Sequence, residues 1–322
     1  MRKQFGRARQ AAGRATTLLS PAGLTGAAVE VTWVAAHAVL YPLGLLTERA
    51  RHDVPRTLRG LTPVQRGLLI GDVEAAGTPI LLVHGMVDNR SIFTLLRRGL
   101  RRRGFGRVLA LNYSPLTGDI RAAADELAAR VELVCAETGF ERIHVIGHSM
   151  GGMIARYYVQ CRGGDARVHT LVTLGTPHGG TGAARLVPHR LGRQLRPDSD
   201  LVRELAEPAP GCRTRFLAIW SDLDQMIVPK AAARIEHGDL RARNVLVRRA
   251  GHMSLPITPR AVHEISLTLA QLGMDGETLT RGVTSIGADR AVRAGDEVAP
   301  EAVRRPGQRV TAIPAGNDHP TG

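Results

Sequence analysis

A chain of 322 residues with 43% hydrophobic side chains is long enough for one large α/β domain with extensions, and it can bury a substantial core. Its formal net charge of +14 is almost wholly arginine, Lys3 and Lys230 being the only lysines. Aromatics make up 3% of the chain and no zinc-finger or RNP pattern occurs, so base stacking is excluded and no nucleic-acid partner is expected.

In chain order, five basic residues (Arg2, Lys3, Arg7, Arg9 and Arg14) lead into residues 22–46, whose only charged side chain is Glu30. Glu30 and His37 lie seven apart, so on a helix they share a stripe with Gly23 and Gly26 while Val29, Val34, Val39 and Leu40 cover the rest. Three readings of this stretch stay open. It can pack as a helix on the protein or in a membrane interface, span as a signal anchor, or be cleaved after Ala36-His37-Ala38. The expected organisation is a basic and apolar segment at 1–47, a polar connector at 48–78, a catalytic domain at 79–272 and a disordered tail at 273–322, where apolar periodicity ends. Membrane association through residues 22–46 would place the protein at the cell envelope, with secreted and cytoplasmic locations left open; oligomeric state is not legible.

From Ile80 onward apolar runs alternate with helical patterns. Strands are predicted at Ile80 to His84, Val108 to Asn112, Ile143 to Ile146, Val168 to Leu174, Arg215 to Trp220 and Val245 to Val247. Helices are predicted between and after them, at Ser91 to Arg103, Asp119 to Glu137, Met153 to Gln160, Lys230 to Glu236 and Pro259 to Leu272. Strands apolar on both faces and separated by helices predict an α/β fold, a mostly parallel sheet covered on both sides. The cluster Arg97, Arg98, Arg101, Arg102, Arg103 and Arg107 is read as a solvated helix face, with attraction to anionic lipid or polymer as the minor reading. Cys135, Cys161 and Cys212 cannot all pair, and their spacing fits neither a zinc site nor a redox C-x-x-C; one disulfide is allowed but not implied.

Gly147-His148-Ser149-Met150-Gly151 reads G-x-S-x-G between a predicted strand and a predicted helix. A serine hydroxyl is a weak nucleophile, and a sharp strand-to-helix turn flanked by small residues lifts it out of the sheet, so Ser149 is the candidate nucleophile. His252, in the loop after the last predicted strand, is the candidate base. Asp224 is the preferred acid and Asp222 the fallback, both just beyond the strand ending at Trp220. The oxyanion that forms on attack needs two preorganised donors, assigned to the backbone N–H groups of Met150 and Met86. The histidines at 84, 144, 148, 169, 178 and 189 show no zinc-binding spacing; no metal or cofactor is expected, and calcium on separated aspartates is left open.

These residues resemble a known family. Leu82-Val83-His84-Gly85, Gly147 to Gly152, Gly175-Thr176-Pro177-His178-Gly179-Gly180, Trp220 to Pro229 and Gly251-His252 are similar to bacterial, and particularly actinobacterial, triacylglycerol lipases and esterases of the α/β-hydrolase fold. The resemblance covers roughly residues 80–270. It implies hydrolysis of acyl esters, lipid-like ones included, through an acyl-enzyme, and a lid at about residues 183–211. An acyltransferase with the same triad, or a noncatalytic envelope-binding protein on the same scaffold, would share the motifs. Dehalogenases and epoxide hydrolases would need a carboxylate where Ser149 stands.

Overall fold

The computed structural model describes residues 76–270, apart from 87–88 and 114–117. The segment at 1–47, nearly all of the connector and the tail at 273–322 lie outside the described residues. Six strands form one sheet: β1 (Ile80–Val83), β2 (Val108–Leu111), β3 (Ile143–His148), β4 (Val168–Leu174), β5 (Arg215–Ser221) and β6 (Arg241–Val247). Their spatial order is β2-β1-β3-β4-β5-β6, and every pairing is parallel. All residues of β1, β3 and β4 are buried, as a sheet covered on two faces requires. The period of two divides them between two cores: Leu81, Val83 and Val145 face one layer of helices, Ile80, Leu82 and Ile146 the other.

The first layer is α2 (Ile120–Thr138) and α3 (Met150–Cys161). Helix α2 buries Ile120, Ala123, Ala124, Leu127, Val131 and Val134, a spacing of three and four that keeps one stripe on the sheet. It starts where the Asp119 carboxylate accepts the Arg121 N–H at 2.8 Å and stops at Gly139, which takes φ +77 and donates its N–H to the Cys135 carbonyl. The second layer is α1 (Thr94–Arg102) and α6 (Pro259–Leu269). Helix α1 buries Leu96 and Leu100 and exposes Arg98 and Arg102, so that part of the arginine cluster is a solvated face. Two short helices, α4 (Arg190–Gln194) and α5 (Asp200–Glu204), lie within residues 183–211. Among the described residues no helix is long and apolar enough to cross a membrane, and all three cysteines are free.

Several predicted boundaries move, and three of the shifts have a local reason. Helix α3 begins at Met150, three residues ahead of its predicted start, because the glycines that lower helix propensity are the ones its close packing needs. The helix predicted at Lys230 to Glu236 is a single 3-10 turn, Lys230–Ala233. Beyond it Arg234 is extended, and Ile235 is held by Asn244, its N–H donating to Asn244 Oδ1 at 2.9 Å and its carbonyl accepting from Asn244 Nδ2 at 3.0 Å. Strand β6 starts at Arg241, four residues earlier than its apolar stretch, because Arg241 and Arg243 belong to an edge strand where charge is tolerated.

Asp165 ties the start of β5 to the turn before β4. Its Oδ1 accepts the N–H of Arg213 at 2.9 Å, the N–H of Thr214 at 2.7 Å and the Thr214 hydroxyl at 2.7 Å. Burial opposes its charge, but the hydrogen bonds from Thr214, Cys212 and Arg213 outweigh it and hold the carboxyl below its ordinary value. Asp165→Ala leaves the Arg213 and Thr214 N–H groups without this acceptor, the Thr214 hydroxyl keeping the Val168 carbonyl at 2.8 Å, and is expected to cost about 1–3 kcal/mol in chemical denaturation. An unchanged midpoint would show that water replaces the carboxylate at no cost.

Candidate active site

Ser149 sits at the junction of β3 and α3 with φ 53 and ψ −124. Only it and Arg249 combine a side chain with positive φ among the described residues. Such a conformation costs about 1–3 kcal/mol and persists where the surroundings over-determine it. Here they do. The Ser149 N–H donates to the Leu174 carbonyl at the end of β4 at 2.8 Å. A Cβ on Gly147 would come within 2.5 Å of the Gly152 backbone, and one on Gly151 within 2.2 Å of the Val83 carbonyl oxygen. The glycines therefore let the turn close and let the first turn of α3 press against the end of β1.

His252 reaches the same edge from β6. The Ser221 hydroxyl donates to the Ala250 carbonyl at 2.6 Å, and the Gly251 N–H donates to Ser254 Oγ at 3.0 Å, fixing the loop on either side of the imidazole. His148, fully buried, donates from Nε2 to the His252 carbonyl at 3.1 Å, and the two rings lie 4.9 Å apart. The variable residue of G-x-S-x-G thus holds His252 by its backbone.

Between the two aspartates the geometry discriminates. Asp224, 1% exposed, accepts from His252 Nδ1 at 2.8 Å through Oδ2, and its Oδ1 accepts the N–H groups of Met226 at 2.9 Å and Ile227 at 3.2 Å. Burial works against its negative charge. The positive field of His252, the hydrogen bonds from His252 and Met226, and Lys230 together outweigh that and hold the carboxyl below its ordinary value. An ionised Asp224 keeps the proton of a neutral imidazole on Nδ1 and makes Nε2 the basic nitrogen. Asp222 instead accepts the Arg249 N–H at 2.9 Å, stabilising the positive-φ turn at Arg249. A Cβ on Gly175 would lie 3.0 Å from Asp224 Oδ2 and 3.2 Å from His252 Nδ1. Since Gly175 follows Leu174, whose carbonyl binds the Ser149 N–H, the Asp224–His252 pair and the Ser149 backbone both approach the end of β4, at the carboxyl edge of β3, β4 and β5.

Met86 and Met150 line a cavity of about 60 Å³ together with Ser149, Pro177, Leu195 and Ile227. The loop carrying Met86 is braced by a residue that the sequence patterns do not flag. The Tyr113 hydroxyl is shared between the carbonyls of His84 at 3.0 Å and Gly85 at 2.7 Å, and its ring stacks on His84 at 4.2 Å. His84 donates from Nδ1 to the Gly85 carbonyl at 2.9 Å, which makes it a loop-fixing residue. Tyr113 lies two residues past β2, beyond the periodic run, where the one available signal is an aromatic beside Asn112 at a strand end.

Residues of the 183–211 stretch cover this cavity: Ala183, Ala184, Val187, Gly192 and Leu195 line it. The stretch is anchored at Gln194, which accepts the Ile120 N–H at 2.9 Å and donates to Asp119 at 2.9 Å. His178 does not line this cavity; its Nε2 lies 2.9 Å from Thr173 Oγ1, and its charge is suppressed first by burial and then by Arg156.

A family model described as alpha/beta hydrolase fold matches residues 78–191. A triacylglycerol lipase of Pseudarthrobacter phenanthrenivorans is 30% identical over 117 residues, 34% of this chain and 36% of that protein. One from Burkholderia plantarii is also 30% identical over 117 residues, 34% of this chain and 32% of its own length. The chain thus spans about a third of the curated relatives it matches. Among solved structures, a Bacillus licheniformis lipase in its mature form superposes with a TM-score of 0.52 at 16% identity, over 61% of this chain and 92% of that one, a likeness of fold. These matches, together with a parallel sheet that carries a serine turn at its carboxyl edge, give the chain the α/β-hydrolase fold and a likeness to triacylglycerol lipases over about a third of its length.

Proposed function

We propose that this chain is a serine carboxylic ester hydrolase that acts through an acyl-enzyme on acyl esters of apolar, lipid-like character. The observation that carries the reading is the buried 2.8 Å contact of Asp224 with His252, set beside a serine held at positive φ. In the proposed cycle His252 Nε2 takes the Ser149 proton as Oγ attacks the ester carbonyl. The N–H groups of Met86 and Met150 receive the oxyanion, and the alcohol leaves with the proton that His252 returns. Water, activated by the same imidazole, then releases the acid and restores Ser149. Met86, Pro177, Leu195 and Ile227 give the acyl group an apolar wall, and the stretch anchored at Gln194 serves as the lid that admits it. Residues 22–46 are assigned to envelope attachment, which fractionation of the full chain tests by whether it pellets with membranes.

A fluorophosphonate probe tests the reading directly. Mass spectrometry is expected to find a single phosphonylated peptide carrying Ser149; a folded, unlabelled protein would reject the assignment. Tyr113 supplies a second expectation. In Tyr113→Phe the ring remains on His84, but the His84 carbonyl loses the hydroxyl and the Gly85 carbonyl keeps only His84 Nδ1, so the loop bearing the Met86 N–H loosens. The kcat for p-nitrophenyl esters is expected to fall roughly tenfold with little change in KM, as a small misplacement of a reacting geometry produces. A KM rise at constant kcat would instead assign Tyr113 to substrate binding.

A further inference from the structure

Among the described residues, no carboxylate meets the buried guanidinium of Arg156. It lies on α3 about two turns beyond Ser149, and 4% of it is exposed. Its Nε donates to Gln160 Oε1 at 2.6 Å and its Nη2 to the Leu205 carbonyl at 2.7 Å. Both acceptors are neutral, and Nη1 has no partner among the described residues. Arg121 and Arg243, by contrast, meet the carboxylates of Glu204 and Glu264. Taking a guanidinium out of water is costly unless something meets it. Desolvation accordingly depresses its pKa to about 10.

Arg156 lines a cavity of about 510 Å³, a volume typical of small-molecule sites. This cavity shares no lining residue with the one above Ser149. Val202, Leu205, Pro208 and Ala232 give it apolar walls. His178 also lines it, and its buried Nδ1 has no hydrogen-bond partner. On the exposed rim Glu236 is engaged by Arg234 at 3.2 Å, and Asp239 accepts the Ala209 N–H at 2.7 Å. A polyanion would meet those two carboxylates on the way in. A monoanion with a hydrocarbon body matches one uncompensated cation behind apolar walls.

We propose that this cavity binds a small aliphatic monocarboxylate, its oxygens on Nη1 of Arg156 and its hydrocarbon against Val202, Leu205 and Pro208. The site stands independently of the hydrolase reading. Under that reading alone, the ligand belongs to the class of acid that ester hydrolysis releases, and it would bind on the helix that begins at the nucleophile.

Titration calorimetry with sodium hexanoate on the full chain, at constant ionic strength, tests this. Saturable one-to-one binding is expected in the wild type and in Ser149→Ala, which keeps this site distinct from the catalytic pocket. Arg156→Met is expected to weaken binding by about tenfold to a hundredfold, the loss of a charge-assisted hydrogen bond. Ala206→Phe, at an exposed lining position, is expected to abolish binding by filling the cavity while leaving the guanidinium in place; it decides the matter where Arg156→Met fails to fold. Absence of binding to the wild type, or binding that survives Ala206→Phe, overturns the proposal. Tighter binding of inorganic phosphate than of hexanoate overturns the monocarboxylate class.

Discussion

Replacing Ser149 by alanine is expected to lower kcat toward p-nitrophenyl esters by at least about 10⁴-fold while leaving the fold intact. The size follows from the chemistry: without Oγ there is nothing for His252 to activate, and the residual rate is what oxyanion donors and binding can give to attack by water. The intact fold follows from the surroundings, since the Ser149 backbone makes the structural contact, its N–H to the Leu174 carbonyl at 2.8 Å, and alanine keeps it. Strain offers a control. Both serine and alanine are held at φ 53, whereas glycine adopts that region readily, so Ser149→Gly is expected to be more stable than Ser149→Ala by about 1 kcal/mol. Comparable turnover in wild type and Ser149→Ala would move the nucleophile elsewhere. A glycine variant no more stable than the alanine one would mean that the turn is not strained.

How much of this the sequence discloses depends on what each element buries. Strands β1, β3 and β4 are legible because every residue is inside, although β3 runs two residues past its apolar stretch, to His148. Strand β6 is half legible, for Arg241 and Arg243 on the sheet edge look like loop until pairing with β5 is known. The single turn at Lys230–Ala233 reads as a longer helix because Asn244, distant in sequence, is what binds the Ile235 backbone just past the extended Arg234. At the site, Ser149 and His252 are set off by local turn chemistry. The choice between Asp222 and Asp224 is different in kind. Both follow the same strand, and the separation comes from a turn in which Asp224 binds two backbone N–H groups while presenting its other oxygen to His252. Tyr113 and the backbone grip of His148 stay hidden because they act across strands on carbonyl groups, which carry no sequence signature.

That same turn sets the outcome for Asp224→Asn, expected to reduce kcat by about 10⁴-fold with little change in structure. The position of Oδ1 accepts from the Met226 and Ile227 N–H groups, so the amide oxygen of asparagine belongs there and its NH2 group takes the place of Oδ2. A donor then faces His252 Nδ1 across 2.8 Å and forces the ring proton onto Nε2, leaving no base toward Ser149. Asp222→Asn should leave kcat nearly unchanged, since that carboxylate serves the Arg249 N–H. Stability against pH gives a second readout. The folded pKa of Asp224 lies below the ordinary value of 3.8, so its contribution is complete above that value and is lost as pH falls through the folded pKa. The replacing amide does not titrate. Between about pH 4 and pH 2 the unfolding free energy of the variant should therefore fall less steeply than that of the wild type. Parallel slopes over that range, or a fully active asparagine variant, would show that Asp224 neither carries the charge nor fixes the tautomer on which the proposed cycle depends.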